Sequence, residues 1–371
     1  MSASGVKLIM HAFKALVLVF WGLFGGLFIL PAQVAAIGND GGSTVEGVVI
    51  RVIEEKEIEI METEQLYQKL ELKLSTPDQK TVVVENGNQP LANIVRFEVG
   101  DKVLVNLTAD PEGNERYEII DFVRRDGLII LSIIFGVLLV VVARWRGLTS
   151  LLGMMFTFLV VFLLVLPRIM AGDNPVFVAI IGSLIIIPVS FYLAHGLNKK
   201  TTVAIISSMI TLIITVVLGS IFINLGHLTG LSSEEAGMLF LDQSSLNMKG
   251  VLLAGIVVGA LGVLDDITIS QAAIVDELAR TAKLTKVKDL YLRSMVIGKD
   301  HITSMVNTLV LAYAGASLPL LLIFVNNPHP FGEIVNYEMI AEEIIRTLIG
   351  SIGLILAVPI TTFIAAGWYK R

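Results

Sequence analysis

Seven stretches of this chain are apolar for long enough to cross a membrane, and no other feature limits the fold as much. An α-helix rises about 1.5 Å per residue and the hydrocarbon layer is about 30 Å thick, so roughly 20 apolar residues suffice. Runs near 127–143, 148–166, 176–194, 202–224, 250–271, 302–325 and 345–367 approach or exceed that length. Only 16% of the 371 residues are charged, where soluble domains carry about 25%. A soluble enzyme is excluded. With 0 Cys, so are disulfides, thiolate nucleophiles and zinc–thiolate sites.

The charge is unevenly spread. Residues 40–126 hold 29 charged side chains, 19 acidic and 10 basic. That composition predicts a water-exposed module set into an apolar body. Segments 44–53, 68–74, 80–86, 101–109 and 116–123 are rich in Val, Ile, Leu, Thr and Tyr and are separated by turns such as Thr76-Pro77-Asp78 and Asp110-Pro111-Glu112-Gly113-Asn114. They read as five short strands, an all-β, OB-like domain. Tyr67, Phe97 and Tyr117 are scattered, so there is no aromatic platform, and no basic patch suggests nucleic acid. The module is expected to serve as a spacer or to bind a protein partner. The acidic run Glu54, Glu55, Glu57, Glu59, Glu62 and Glu64 reads as a solvated strand and turn.

Before the module, Lys7 and Lys14 precede an apolar run from Ala15 to Leu30, followed by Val34-Ala35-Ala36. Residues 1–36 therefore read either as a signal peptide cleaved after Ala36 or as an uncleaved signal anchor, and both place the module outside. Cytoplasmic loops carry the excess of Lys and Arg. With the first span running inward, the inner side collects Lys7, Lys14, Arg144, Arg146, Lys199, Lys200, Arg280, Lys283, Lys286, Lys288, Arg293, Lys299, Lys370 and Arg371. The outer connections of the helical body hold only Arg168, Lys249 and Arg346. Arg124 and Arg125, at the end of the outer module, run against the pattern. The expected architecture is an α-helical polytopic membrane protein: an extracytoplasmic β domain over 40–126, about seven helices over 127–371 and a cytoplasmic C-terminus.

Polar groups inside a span are expensive and mark functional candidates. The 250–271 span carries Gly255, Gly259 and Gly262 on one face, then Asp265, Asp266, Thr268, Ser270 and Gln271. Residues 262, 266 and 270 share a face, since four residues make about one turn, and the glycines predict close approach of another helix. The next span opens with Lys299, Asp300 and His301 and continues through Ser304, Asn307, Thr308 and Tyr313. Asp266, Asp265, Ser270, Gln271, Asp300, Asn307 and Thr308 therefore form a candidate coupling or ion site. Asp265, Asp266, Asp300 and His301 have acceptable metal-ligand chemistry but no ligand-spacing motif. His195, beside Gly196 and Asn198, reads as part of a cytoplasmic turn, and residues 232–241 read as a short capped amphipathic helix. Pro167, Pro188, Pro319 and Pro359 allow kinks.

The stretches from Gly250 to Asp266, Gly298-Lys299-Asp300, and Asn307 to Pro319 resemble the YibE/F family of bacterial multi-pass membrane proteins. The resemblance covers most of 127–371 and implies a bacterial cell-membrane protein. The family pattern has one Asp, at the position of Asp266, and an apolar residue at that of Asp265. Asp265 is therefore a departure that weakens a two-carboxylate mechanism. The first functional expectation is a transporter or permease with protons or cations as coupling ions and an unidentified solute. The alternative is a non-transport scaffold, sensor or assembly factor whose outer domain binds a partner. No Walker A loop, His-Glu-x-x-His motif or Gly-x-Ser-x-Gly elbow is present, so neither an enzyme nor a bound cofactor is expected.

Overall fold

A computed structural model describes residues 43–60, 63–89, 94–109, 115–281, 286–325 and 329–369. The segment 1–36, the turn at 110–114, and Glu62, Lys283, Lys370 and Arg371 lie outside the described residues. The chain divides into two compact units after Leu138.

The first unit is built on five strands: β1 (Ser43–Ile60), β2 (Thr63–Leu74), β3 (Thr81–Asn86), β4 (Lys102–Ala109) and β5 (Glu115–Phe122). They form one antiparallel sheet in the order β3-β2-β1-β4-β5. The sheet curls into a half-barrel, bringing edge strands β3 and β5 near each other. Alternation explains the core. Val82 and Val84 point in while Thr81, Val83 and Glu85 point out, and Val49, Leu70, Leu72, Val103 and Val105 meet them. Gln68 is fully buried, yet satisfied: its amide nitrogen donates to the Phe97 carbonyl and the Glu55 carboxylate, both at 2.9 Å. Its carbonyl oxygen accepts from the Phe97 N–H at 2.9 Å, which pins the segment before β4 onto β2.

β1 and β2 extend further than the sequence suggested. The acidic run belongs to a long hairpin, with Glu54 opposite Lys69 and Ile60 opposite Thr63. Two register shifts, between Val49 and Arg51 and between Val52 and Glu54, separate its curled part from its projecting part, as bulges do. The two arginines that broke the charge rule are neutralised locally. Arg124 pairs with Asp121 at 2.5 Å and Arg125 with Glu46 at 3.0 Å.

The helices are α1 (Arg125–Ala143), α2 (Trp145–Met170), α3 (Pro175–His195), α4 (Lys199–Leu225), α5 (Glu234–Asp242), α6 (Met248–Thr281), α7 (Val287–Ala316), α8 (Leu318–Val325), α9 (Phe331–Ile334) and α10 (Glu338–Trp368). Among the described residues six are long and apolar enough to span a membrane, or seven if α7 and α8 form one bent span. Local chemistry sets the ends. Asn174, Asn198 and Ser233 accept hydrogen bonds from the first N–H groups of α3, α4 and α5, as N-caps do. Within α2 a π-helical stretch, Val161–Val165, precedes Pro167.

The last expected span but one is not straight. α7 begins well before residue 302, and α8 leaves it at 70°. Pro319, in the first turn of α8, has no N–H with which to continue the α7 ladder.

α4, α6 and α10 pack on one another; α7 lies against α10, and α3 lies between α2 and α6. Close approach depends on missing side chains. A Cβ on Gly353 of α10 would sit 2.6 Å from the Thr215 hydroxyl of α4, so this pair of helices touches closely here. Large apolar side chains such as Ile130, Val142, Leu163 and Phe363 face outward, as lipid contact requires.

Candidate functional site

The glycine face of α6 does not pack as expected. Gly255 and Gly262 have open space where a side chain would stand, and at Gly259 only the Tyr313 hydroxyl approaches, 3.6 Å from where a Cβ would be. Asp266, next on this face, is exposed. α7 comes close to α6 at Gln271 and again at Gly259, through Tyr313, and the side-chain-free strip along this face of α6 is a shallow cleft floored by its own backbone.

At the crossing, Gln271 is fully buried. Its amide nitrogen donates to the Thr362 hydroxyl of α10 at 2.7 Å and to the Ser294 carbonyl of α7 at 3.3 Å. Gly298 lets the helices approach this closely, since a Cβ there would lie 3.0 Å from both polar atoms of the amide. One side chain thus ties three helices together.

Around it runs a seam of buried hydroxyls, of which sequence reasoning singled out only Thr268. Ser207, Ser208, Thr211 and Thr215 of α4, Thr268 of α6 and Thr361 and Thr362 of α10 are all fully buried. Thr268 donates to the Leu264 carbonyl at 2.7 Å, so its one hydrogen is committed and Ser208 donates to it at 2.8 Å. Most of these hydroxyls bond back to the carbonyl four residues earlier, as Thr211 does to Ser207. Their only sequence signal was a four-residue spacing along α4.

On α7 the expected polar face is present and exposed. Asp300, Thr303, Ser304, Asn307 and Thr308 all lie on the outside of the helix. Thr303 and Thr308 return their hydrogens to the Lys299 and Ser304 carbonyls, at 3.1 and 3.0 Å. The side chains of Asp300 and Asn307 make no hydrogen bond or ion pair among the described residues.

The two adjacent carboxylates part company, because neighbours on a helix stand about 100° apart. Asp266 faces the cleft. Asp265 turns toward α3, where its Oδ1 lies 3.9 Å from Nε2 of His195. That oxygen is buried and has no hydrogen-bond partner among the described residues. Ser270 is half-buried on the next turn. No group of three or more potential metal ligands occurs among the described residues.

A YibE/F-like protein family model matches residues 131–371. The chain belongs to the YibE/F-like family. Comparison with curated proteins and with solved structures finds no match. The match takes in every helix from α2 to α10, and the apolar helices make this YibE/F-like chain an integral membrane protein.

This family member has a second polar cluster, at the far end of α10. Arg346 pairs with Glu342 and with Glu343, each at 2.5 Å. Glu342, 8% exposed, also accepts from the Ser232 hydroxyl at 2.5 Å, and Glu343 accepts from Ser317 at 3.5 Å. The guanidinium thus links α10, the segment before α5 and the bend between α7 and α8. Glu338, one turn earlier, accepts from the backbone N–H of Gly230 at 3.0 Å and the Thr229 hydroxyl at 2.8 Å.

Proposed function

We propose that this YibE/F-like protein is a transporter or permease of the bacterial cell membrane, with Asp266 as its proton- or cation-coupling group. The observation that carries the reading is Asp266, exposed at the end of the open glycine face of α6. Asp300 and Asn307 stand exposed on α7, on the side away from the Ile302, Met305 and Val306 face that packs inward. Polar side chains at such depth face a bundle interior or a water-filled passage. The open glycine face leaves room beside α6, and the Asp266 carboxylate gives it a site for a coupling ion. Ser304, Asn307 and Thr308, exposed on the outward face of α7, have the chemistry to receive a small polar solute or a partly hydrated cation.

The distribution of Lys and Arg orients the protein in this reading: the half-barrel, read as an OB-like domain, lies outside and the C-terminus inside. The test is flux. Purified protein in liposomes, screened with ions and small solutes under an imposed pH gradient, is expected to move at least one of them, and Asp266→Asn is expected to abolish the pH-linked part. Equal flux in the wild type and the variant would remove Asp266 from the mechanism.

A further inference from the structure

Asp265 and His195 form a pair that the cleft leaves unexplained. The pair sits on the adjacent face of α6, about 100° round from Asp266, against the last turn of α3. Its placement follows from local structure. α3 ends at Gly196, whose φ of 80° lies in the left-handed region that glycine adopts readily. The Asn198 side chain donates to the His195 carbonyl at 2.8 Å and to the Gly196 carbonyl at 3.1 Å, and accepts from Thr201 N–H at 3.0 Å as the cap of α4. The turn is therefore held by its own hydrogen bonds, and the imidazole hangs beside α6. The end of a helix also favours a cation, through its unpaired carbonyls.

We infer that His195 is the proton-exchange partner of Asp265, passing protons between the aqueous phase and the polar centre of α6. This rests on the transport reading above. Three observations support it. Asp265 Oδ1 is buried and has no hydrogen-bond partner among the described residues, so its available neighbour is the imidazole. The 3.9 Å separation is too long for a fixed structural hydrogen bond, yet a small side-chain rotation closes it. The side chains are 35% and 38% exposed, so the pair is not sealed inside the bundle, and His195 ends its helix beside the turn at Gly196.

In the forward step the Nε2–H bond of the imidazolium breaks and an O–H bond forms on Asp265. This leaves a neutral imidazole and a neutral carboxylic acid. The imidazole then takes a proton from water. The charged groups around His195 are Arg146 on α2, Lys200 on α4 and Asp266 on α6, together with Asp265 itself. Two cations and two carboxylates thus surround the ring, so its protonation responds to the state of each carboxylate.

The first test needs no substrate. The chain has 5 histidines, so ring resonances can be followed by NMR during a pH titration, with His195→Gln assigning its own signal. At 3.9 Å and a water-like dielectric, Coulomb's law gives a displacement of about one pH unit when the Asp265 charge is removed. Asp265→Asn is expected to displace the His195 midpoint by that amount and Asp266→Asn by less. An identical midpoint in the wild type and Asp265→Asn would overturn the pairing. The second test is kinetic: in liposomes His195→Gln is expected to slow proton-linked flux at least tenfold, the lower range for a positioned acid–base group being about a hundredfold. Unchanged flux in a folded His195→Gln protein would overturn the relay while leaving Asp266 its role. Absence of proton-linked flux in the wild type would instead sink the transport reading, and with it the relay.

Discussion

Replacing Gly298 by alanine adds one methyl group where three helices meet. The new Cβ would lie 2.7 Å from Val358 Cγ1 and 3.0 Å from both polar atoms of the Gln271 amide. Neither neighbour can retreat freely, since Val358 is fully buried and the amide is tied to Thr362 at 2.7 Å. Overpacking of this kind costs about 1–3 kcal/mol, and a displaced amide gives up about 1 kcal/mol of hydrogen bonding. Alanine's better helix propensity returns roughly 1 kcal/mol. The net loss is about 1–3 kcal/mol, or roughly 2–12 °C in Tm at about 2–4 °C per kcal/mol for a unit of this size. Gly262→Ala is the control, since its methyl enters open space. It keeps the propensity gain and meets no clash, so its Tm should hold or rise by about 2–4 °C. Thermal melts of the purified protein in nanodiscs compare the two directly. If Gly298→Ala melts at or above the wild type, the crossing is not a close contact. If Gly262→Ala melts lower, the cleft is filled, not open.

Other consequences follow from the same geometry. Gly262→Leu should leave the protein folded but reduce any flux by at least tenfold, because the side chain would project into the cleft; undiminished flux in liposomes would place the passage elsewhere. Arg346→Met leaves the buried Glu342 without its cation, and breaking a buried pair on one side costs about 3–5 kcal/mol; the same melts should show a fall near 10 °C, and an unchanged Tm would mean the cluster is solvated. In the half-barrel, Lys80 binds Glu115 and Tyr117, which raise the lysine above its ordinary range, while Lys80 first and Tyr117 second hold the Glu115 carboxyl below its own. The Glu115 contribution is therefore complete above its ordinary value and fades as pH falls through the lowered one. The Lys80 contribution is complete below its ordinary value and fades as pH rises through the raised one. Hydrogen-exchange protection of β3 and β5 should accordingly stay level from about pH 5 to about pH 10 and drop in Lys80→Met; a variant with native protection would show that this link does not hold the edges together.

Much of this fold was readable in the sequence because its signals are local. Length and hydropathy marked the apolar helices and the capped start of α5 was legible at Ser233, while Pro319 was only one of four prolines expected to allow kinks, and the break beyond α7 came there. Signals that depend on a neighbour were not readable. Glycines at helical spacing serve opposite ends here: Gly353 admits the Thr215 hydroxyl, whereas Gly262 faces open space. No pattern within one helix distinguishes the two, since the difference lies in where α4 and α7 run. Asp265 and Asp266 are adjacent in the chain but look in different directions, and the partner of Asp265 is distant in sequence. The buried hydroxyl seam escaped for a chemical reason. Serine and threonine that bond back to their own helix suit either a lipid-facing or an interior position, so their presence in an apolar run says little. The acidic hairpin was shortened for the opposite reason: dense glutamates read as solvated strand and turn beyond residue 53, while alternating Ile58 and Ile60 keep the strand paired.

α6 has 34 residues, about 51 Å at 1.5 Å per residue, against roughly 30 Å of hydrocarbon. The excess of about 20 Å is enough for the turns bearing Asp276, Glu277 and Arg280 to stand beyond the hydrocarbon. Because α6 is packed along its length on α3, α4 and α10, a load placed on those turns, whether by a binding partner or by a change of charge, is carried by three neighbouring helices at once.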